Sequence, residues 1–301
     1  MPLIDTLKAA AATPVSGRQL PVQFTVLPAR SCSPLGAPPG ADADKRANPM
    51  VSCLMATTGE RETIGHALEC YRRQVYPNRE LVIVTHPEGL QNVTEIVRRS
   101  GAANVVVHSV GREMTLGDCR NLSIARSRGD IVMQWDDDDL YDPLRISVAV
   151  QLLAQSDASA VLLSRVVLWW PQRELAAISE RRCWEGSVAV WREHAPVYPS
   201  LARGEDTFAM ECLAGTRTVA LYDLPLLYVY TVHARNTWDT RHFEETFERA
   251  ERVFRGKQYR ALVGLLSKRA PMLEYQADLA AAASTATVAE TSAGGLLEPA
   301  G

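Results

Sequence analysis

The sequence predicts an α/β protein built on a mixed, mostly parallel sheet flanked by helices. Three observations carry that expectation. Short apolar runs of strand length alternate with segments of helical periodicity from residue 50 to about residue 156. The distance between successive strands leaves room for a crossover helix, as β-α-β units require. Gly101 and Gly129 stand where two of those helices should stop.

The elements follow in order. "MVSCLMAT" (50–57) is a short buried strand, and "ETIGHALECYRRQ" (62–74) places Ile64, Leu68 and Tyr71 at helical spacing. "RELVIVTH" (79–86) is a second strand, "NVTEIVRRSG" (92–101) a short helix, and "NVVVHSV" (104–110) a third strand. "TLGDCRNLSIARSRG" (115–129) reads as another helix and "DIVMQWDD" as a fourth strand. A helix opened by Pro143 comes next, then strand-like stretches at 158–171 and 183–193 and a helix starting in "RGEDTFAMECLAG".

Residues 1–48, rich in Ala, Pro, Ser and Gly, read as an extended or partly disordered leader. A folded domain is expected over 49–260, in two halves, 49–145 and 146–260. Residues 261–301 read as a C-terminal helix and a low-complexity tail. These irregular N- and C-terminal extensions are expected to be peripheral to function.

Bulk properties narrow the class. A hydrophobic content of 47% supports a buried core, and a net charge of -3 offers no broad attraction to nucleic acid. The six cysteines, Cys32, Cys53, Cys70, Cys119, Cys183 and Cys212, contain no C-x-x-C pair, so neither a zinc ribbon nor a redox motif is indicated. No run reaches the 18–20 or so apolar residues of a membrane span, and the N-terminus lacks a signal-peptide layout. The expectation is a soluble, cytoplasmic enzyme or binding protein.

The chemistry concentrates in "IVMQWDDDDLYDP", Ile131 to Pro143. If the strand continued, Asp136 and Asp138 would share one face about 6–7 Å apart and repel by roughly 2–3 kcal/mol at an effective dielectric near 20. Either water solvates the run or a cation sits among the carboxylates. Ligands of open α/β sheets bind at the carboxyl ends of strands, which is where these four acids stand. Oxygen donors suit a hard cation, Mn2+ or Mg2+, held by one or two carboxylates and substrate phosphates. A diphosphate is the matching ligand.

From about Met50 through Asp239 the chain resembles the family 2 glycosyltransferases. Four segments carry the resemblance in order: "WDDDDLYDPLRI", similar to the family's D-x-D segment; "LGDCRNLSIARSRGDIV" upstream of it; "LARGEDTFAM", similar to the Glu-Asp motif; and "YVYTVHARNTWD", similar to a His-containing loop. The resemblance implies the GT-A fold, Rossmann-like, and inverting transfer of a sugar from a nucleotide-diphosphate sugar with Mn2+ or Mg2+. It puts Asp136, Asp137 and Asp138 on the D-x-D segment. Asp138 is then the chief metal ligand, and Asp136 or Asp137 contacts the ribose or a metal-bound water, with Asp136 also a candidate ligand. Asp139 faces inward or toward the following helix.

Asp206 is the expected general base, taking the acceptor hydroxyl's proton in a single displacement, and Glu205 supports it or binds the acceptor. An acid at a helix start also contributes about 0.3–1 kcal/mol through the helix dipole without catalysis. His233 reads as a metal or phosphate contact, or as a hydrogen-bonded scaffold residue. Arg235 beside it offers a fork for phosphate oxygens, or lies on the surface. Thr57, Thr58, Glu60, Thr85, Arg112 and Arg120 are candidates for the nucleotide. The second strand ends in Thr85 and His86 where many relatives carry paired acids, which leaves the base identity open among uridine, guanosine, thymidine and others. Trp184, Glu185 and Gly186 are candidates for the acceptor, Trp184 by stacking on a sugar ring.

Polysaccharide, lipid-linked, protein and small-molecule acceptors all fit. A peripheral visit to a membrane surface is compatible with the chain, and oligomeric state leaves no mark in it. Nucleotidyl transfer is the rival enzyme class, weakened because "MATTGERETIG" is a faint version of a triphosphate loop. A haloacid-dehalogenase-like phosphatase would carry its acids after the first strand. A non-catalytic cation-binding protein of EF-hand type would need a central Gly and terminal Glu that "DDDDLYDPLRIS" lacks.

Overall fold

The computed structural model describes residues 24–27, 48–60 and 63–281. Most of the leader, Cys32 and the tail after residue 281 lie outside the described residues. Strand β1 (Phe24–Leu27) comes from within the leader and pairs antiparallel with a later strand, β11 (Val219–Tyr222).

The apolar runs become β2 (Val51–Thr57), β3 (Arg79–Thr85), β4 (Val105–Ser109) and β5 (Ile131–Gln134). They pair in parallel, with Val51 opposite both Arg79 and Ile131, and Leu81 opposite Val105. Helix α1 (Ile64–Arg72) buries Ile64, Leu68 and Tyr71 on one face, as its spacing demands. Helix α2 (Pro87–Ser100) starts five residues before the expected helix at 92. Pro87 sits in its first turn, where a missing N–H costs nothing, and Gly101 ends it in a left-handed conformation at φ 63°. Helix α3 (Leu116–Arg126) opens on a capping box between Thr115 and Asp118.

The expected fourth strand through Asp137 is cut short. Trp135 N–H still donates to the Leu54 carbonyl at 2.9 Å, but β5 ends at Gln134 and residues 137 and 138 form a turn. The chain then enters β6 (Leu140–Tyr141) and α4 (Arg145–Ser156). The stretch at 158–171 divides into β7 (Ala160–Leu163) and β8 (Val167–Trp170), which belong to different sheets. The division falls after Ser164, whose N–H continues the β7–β11 ladder by donating to the Tyr222 carbonyl at 2.8 Å before the chain crosses to β8.

The remaining elements are β9 (Leu175–Ile178), β10 (Ala189–Trp191), α5 (Glu205–Thr216), β12 (Tyr228–Thr231), α6 (Thr240–Glu248), β13 (Arg252–Phe254) and α7 (Gly256–Leu266). The large sheet has the order β1-β11-β7-β10-β5-β2-β3-β4, with β10 antiparallel to both neighbours. A smaller sheet runs β13-β9-β8-β12-β6. One apolar core joins the two. It extends to Val263, Leu266, Met272 and Tyr275, so helical residues 272–281 are packed into the body beyond residue 260.

The acid turn is thus the crossover from the large sheet (β5) to the small one (β6). That position puts Asp136 to Asp139 in the crevice where the carboxyl ends of β2, β3 and β5 open.

Candidate active site

Four consecutive carboxylates meet four different surroundings. Asp136, at the end of β5, accepts from Gln134 Nε2 at 2.9 Å and from both Arg120 Nη atoms at 3.3 Å. Asp137 is buried and accepts from the Thr57 hydroxyl at 2.5 Å. Asp138 Oδ2 lies 3.3 Å from His233 Nε2 and 3.5 Å from Asn236 Nδ2. Asp139 points inward, accepting from the Tyr228 hydroxyl at 2.5 Å and from Thr231 N–H at 2.8 Å. Burial, and then the charges of Asp138 and Asp136, push the Asp139 carboxyl well above its usual range. The turn thereby gives each carboxylate its own partners, although Asp139 still feels the charges of Asp138 and Asp136.

Positive charge supports the turn from two sides. Arg120, on α3, bridges Asp136 and Glu205, with its Nε 2.8 Å from Glu205 Oε1. Burial would lower the Arg120 guanidinium, but Asp136 and Glu205 outweigh it and raise it. Burial also pushes the Glu205 carboxyl up, against Arg120. Behind the turn Arg145 is fully buried, and its Nη2 donates to the carbonyls of Gln134 (2.9 Å) and Gly186 (3.0 Å). The Arg145 guanidinium lies 4.2 Å from the Tyr141 ring centroid and 4.9 Å from that of Tyr228.

These groups wall a cavity of about 490 Å3. Its lining includes Thr57, Thr58, His86 and Met114, the acid turn Asp136 to Asp139, and Trp184, Glu185, Gly186 and Asp206. Gly186 allows the close approach there. A Cβ on it would lie 2.6 Å from the Tyr228 hydroxyl and 3.2 Å from Asp136 Oδ2. Asp206 stands in the first turn of α5, half-buried, and its Oδ1 accepts from Thr207 N–H.

The structure brings Thr57, Thr58, Arg120, the acid turn, Trp184, Glu185, Gly186, Glu205 and Asp206 together around the cavity. Other expected residues stand apart from its lining. Thr85 is fully buried behind the strand end, and His86 takes the lining position. Arg112 is exposed and pairs with Glu88 at 2.7 Å, while Glu60 is exposed. Arg235 donates to the Glu60 carbonyl at 3.4 Å. His233 touches the turn through Asp138 rather than lining the cavity. Asp136, a candidate cation ligand by sequence, is engaged by Arg120 and Gln134. Trp184 is 5% exposed, with the Arg182 guanidinium 4.3 Å from its ring centroid, so little of its face is open to a sugar.

Sequence reasoning missed Asn236, His86 and Tyr230. Asn236 stood in the quoted loop "HARNTWD" without a role, and the strand-end position of His86 was a usable signal. Tyr230 alternates along β12 with buried neighbours and gave none.

Residues 52–185, from β2 to Glu185 at the cavity wall, match the family model described as Glycosyl transferase family 2. This segment belongs to glycosyltransferase family 2. No curated protein matches the chain at a significant level. Among solved structures, S. aureus TarS 1-349 in complex with UDP-GlcNAc is 16% identical, covers 65% of this chain and 64% of its own, and superposes with a TM-score of 0.52. The mannosyltransferase PcManGT from Pyrobaculum calidifontis, in complex with GDP-Man and Mn2+, is 18% identical, covers 99% of this chain and 89% of its own, with a TM-score of 0.51. At these identities the likeness is one of fold, and the family 2 segment sits in a GT-A fold. The chain spans less than two thirds of the length of the TarS fragment.

The donor atoms of the family 2 site fit a hard or borderline divalent ion. Asp138 offers a carboxylate oxygen 3.3 Å from His233 Nε2; His233 Nδ1 accepts from Arg235 N–H at 3.2 Å, so Nε2 joins an ion only by giving up its proton. Among the described residues no group of three or more His, Cys, Asp or Glu is arranged as a metal cage. Two protein donors suffice for an ion whose remaining positions are filled by phosphate and water.

Proposed function

We propose that this chain transfers a sugar, with inversion, from a nucleotide-diphosphate sugar to an acceptor hydroxyl, using Asp206 as general base. The observation that carries the reading is the shared cavity. Asp138, which His233 touches from behind the lining, and Asp206, on the separate helix α5, line the same cavity. The two partners of a displacement need such an arrangement, with the diphosphate on one side of the anomeric carbon and the incoming hydroxyl on the other.

In the reaction, Asp206 removes the proton from the acceptor hydroxyl as its oxygen bonds to the anomeric carbon. The bond to the diphosphate breaks, and the diphosphate leaves with the electron pair. A bound Mn2+ or Mg2+ supplies charge stabilisation to that leaving group, and Asp138 and His233 are the residues that would hold it. Thr57, Thr58 and His86 face the nucleoside end. Arg120 and Glu205 act as a pair that fixes Asp136 and the start of α5. We assign the donor half to residues 49–145 and the acceptor half to 146–260. We place the reaction in the cytoplasm, the compartment expected for scattered cysteines. No helix of the described residues is long and apolar enough to cross a membrane. The complexes of TarS with UDP-GlcNAc and of PcManGT with GDP-Man and Mn2+ are in keeping with this donor class.

Calorimetric titration of UDP, GDP, TDP and CDP tests the reading, with Mn2+ and then with chelator, on wild type and Asp138→Ala. Cation-dependent binding of one diphosphate, lost in the variant, is the expected result. Binding that ignores both the cation and Asp138 overturns it.

A further inference from the structure

We propose that Tyr275, far outside the family 2 segment, is a positioning residue for the acid turn, so that the C-terminal helix is part of the donor site. Its hydroxyl donates to the backbone carbonyl of Asp138 at 2.7 Å. The proposal rests on the reading of Asp138 as the cation-binding carboxylate.

The contact is well anchored. Tyr275 is fully buried, with ring centroids 5.7 Å from Trp169 and 5.0 Å from His66. One helical turn on, Asp278 reaches His66 Nε2 at 2.8 Å, so α1 and the C-terminal helix are joined on both sides of the tyrosine. Met272 and Ala270, buried in the main core, hold the helix start.

The peptide between Asp138 and Asp139 is therefore held from two directions. Tyr275 fixes its carbonyl, and the Asp139 side chain is fixed by Tyr228 and Thr231 on β12. A ligand carboxylate performs only when its backbone and rotamer are locked by surrounding hydrogen bonds. All three holding groups, Tyr228, Thr231 and Tyr275, lie beyond the family match at residues 52–185, and Tyr275 is the farthest from it along the chain.

Tyr275→Phe keeps the ring and its packing and removes only the hydroxyl. Two measurements on the full chain test the proposal. Amide hydrogen exchange of residues 136–141 in metal-free protein should quicken roughly three- to tenfold, the size expected for one lost hydrogen bond. Exchange elsewhere should stay as in wild type, and the thermal midpoint should fall by no more than about 5 °C. Mn2+ affinity, titrated in the presence of whichever of UDP or GDP binds wild type, should weaken by a similar factor. Unchanged exchange in 136–141 overturns the proposal, as does a uniform rise across the chain with a larger fall in midpoint, which would make Tyr275 a packing residue only. Unchanged Mn2+ affinity also overturns it. If neither protein binds Mn2+ with a diphosphate, the cation reading falls, and local exchange alone decides whether Tyr275 positions the turn.

Discussion

Arg120 Nε donates to Glu205 Oε1 at 2.8 Å in the cavity lining, and the same guanidinium reaches Asp136. One side chain on α3 thereby links the acid turn to the first residue of α5. Glu205 is engaged by this contact, and its neighbour Asp206 is left to line the cavity. The two acids of the pair thus differ in surroundings, Glu205 buried against Arg120 and Asp206 half-buried at the cavity.

Removing Glu205 leaves a buried guanidinium short of one partner. Glu205→Ala should cost about 3 kcal/mol of stability, while Asp206→Asn, half-buried at a helix start, should cost less than about 1 kcal/mol. Urea unfolding of the two variants separates these expectations.

Turnover should show the opposite order of specificity. Asp206→Asn should lower kcat by about 10²- to 10⁴-fold, the range for losing a general base, with diphosphate affinity within about twofold of wild type. Parallel turnover assays and calorimetry on one preparation read both quantities.

Gly186 faces the Tyr228 hydroxyl and Asp136 so closely that a methyl group has no room. Gly186→Ala should displace one of them and cost about 1–3 kcal/mol by overpacking. The thermal midpoint and diphosphate affinity should fall together, since Tyr228 holds Asp139 and Asp136 meets Arg120.

Glu80 determines part of the acid sensitivity. Burial alone would raise its carboxyl, but the Ser52 hydroxyl, the Arg128 N–H and the Arg128 guanidinium hold it below the usual range. A carboxyl lowered by folding contributes stability that is complete above its unfolded value, about 4.3, and is lost as the pH falls through the folded value. Glu80→Gln should therefore be less stable than wild type by about 1–3 kcal/mol at pH 7. The difference should shrink toward zero in the acid range, as followed by urea unfolding from neutral pH downward.

Arg112, a nucleotide candidate by sequence, pairs with Glu88 on the surface. Arg112→Ala should leave diphosphate affinity within about twofold of wild type. A tenfold loss in calorimetry would return it to the site.

Much of the fold was legible because each parallel strand is a continuous apolar run and Gly101 stops α2, although α3 ends at Arg126, before the expected stop at Gly129. Val51–Thr57, Arg79–Thr85 and Val105–Ser109 follow the sequence reading to within a residue. The break between Leu163 and Val167 was not legible, since both halves are apolar and only their partner strands differ. Nor was the start of α2 at Pro87, where a proline reads equally well as a loop. At the site, the resemblance singled out the acid run, Glu205, Asp206 and His233; the structure brings the first three to one cavity and sets His233 against Asp138.

The sequence by itself determined the alternation of strands and helices, the position of four acids after a central strand, and the order of the motifs. These are local matters of periodicity and chemical type. Only the tertiary structure decided what each acid does. Asp136 meets Arg120, Asp137 meets Thr57, Asp138 meets His233 and Asp139 meets Tyr228. The partners lie 16 to 95 residues away along the chain, and a carboxylate's surroundings follow from the charge and hydrogen-bond donors folded against it. The same holds for Tyr275, whose contact with Asp138 exists only because the C-terminal helix packs back beneath the turn.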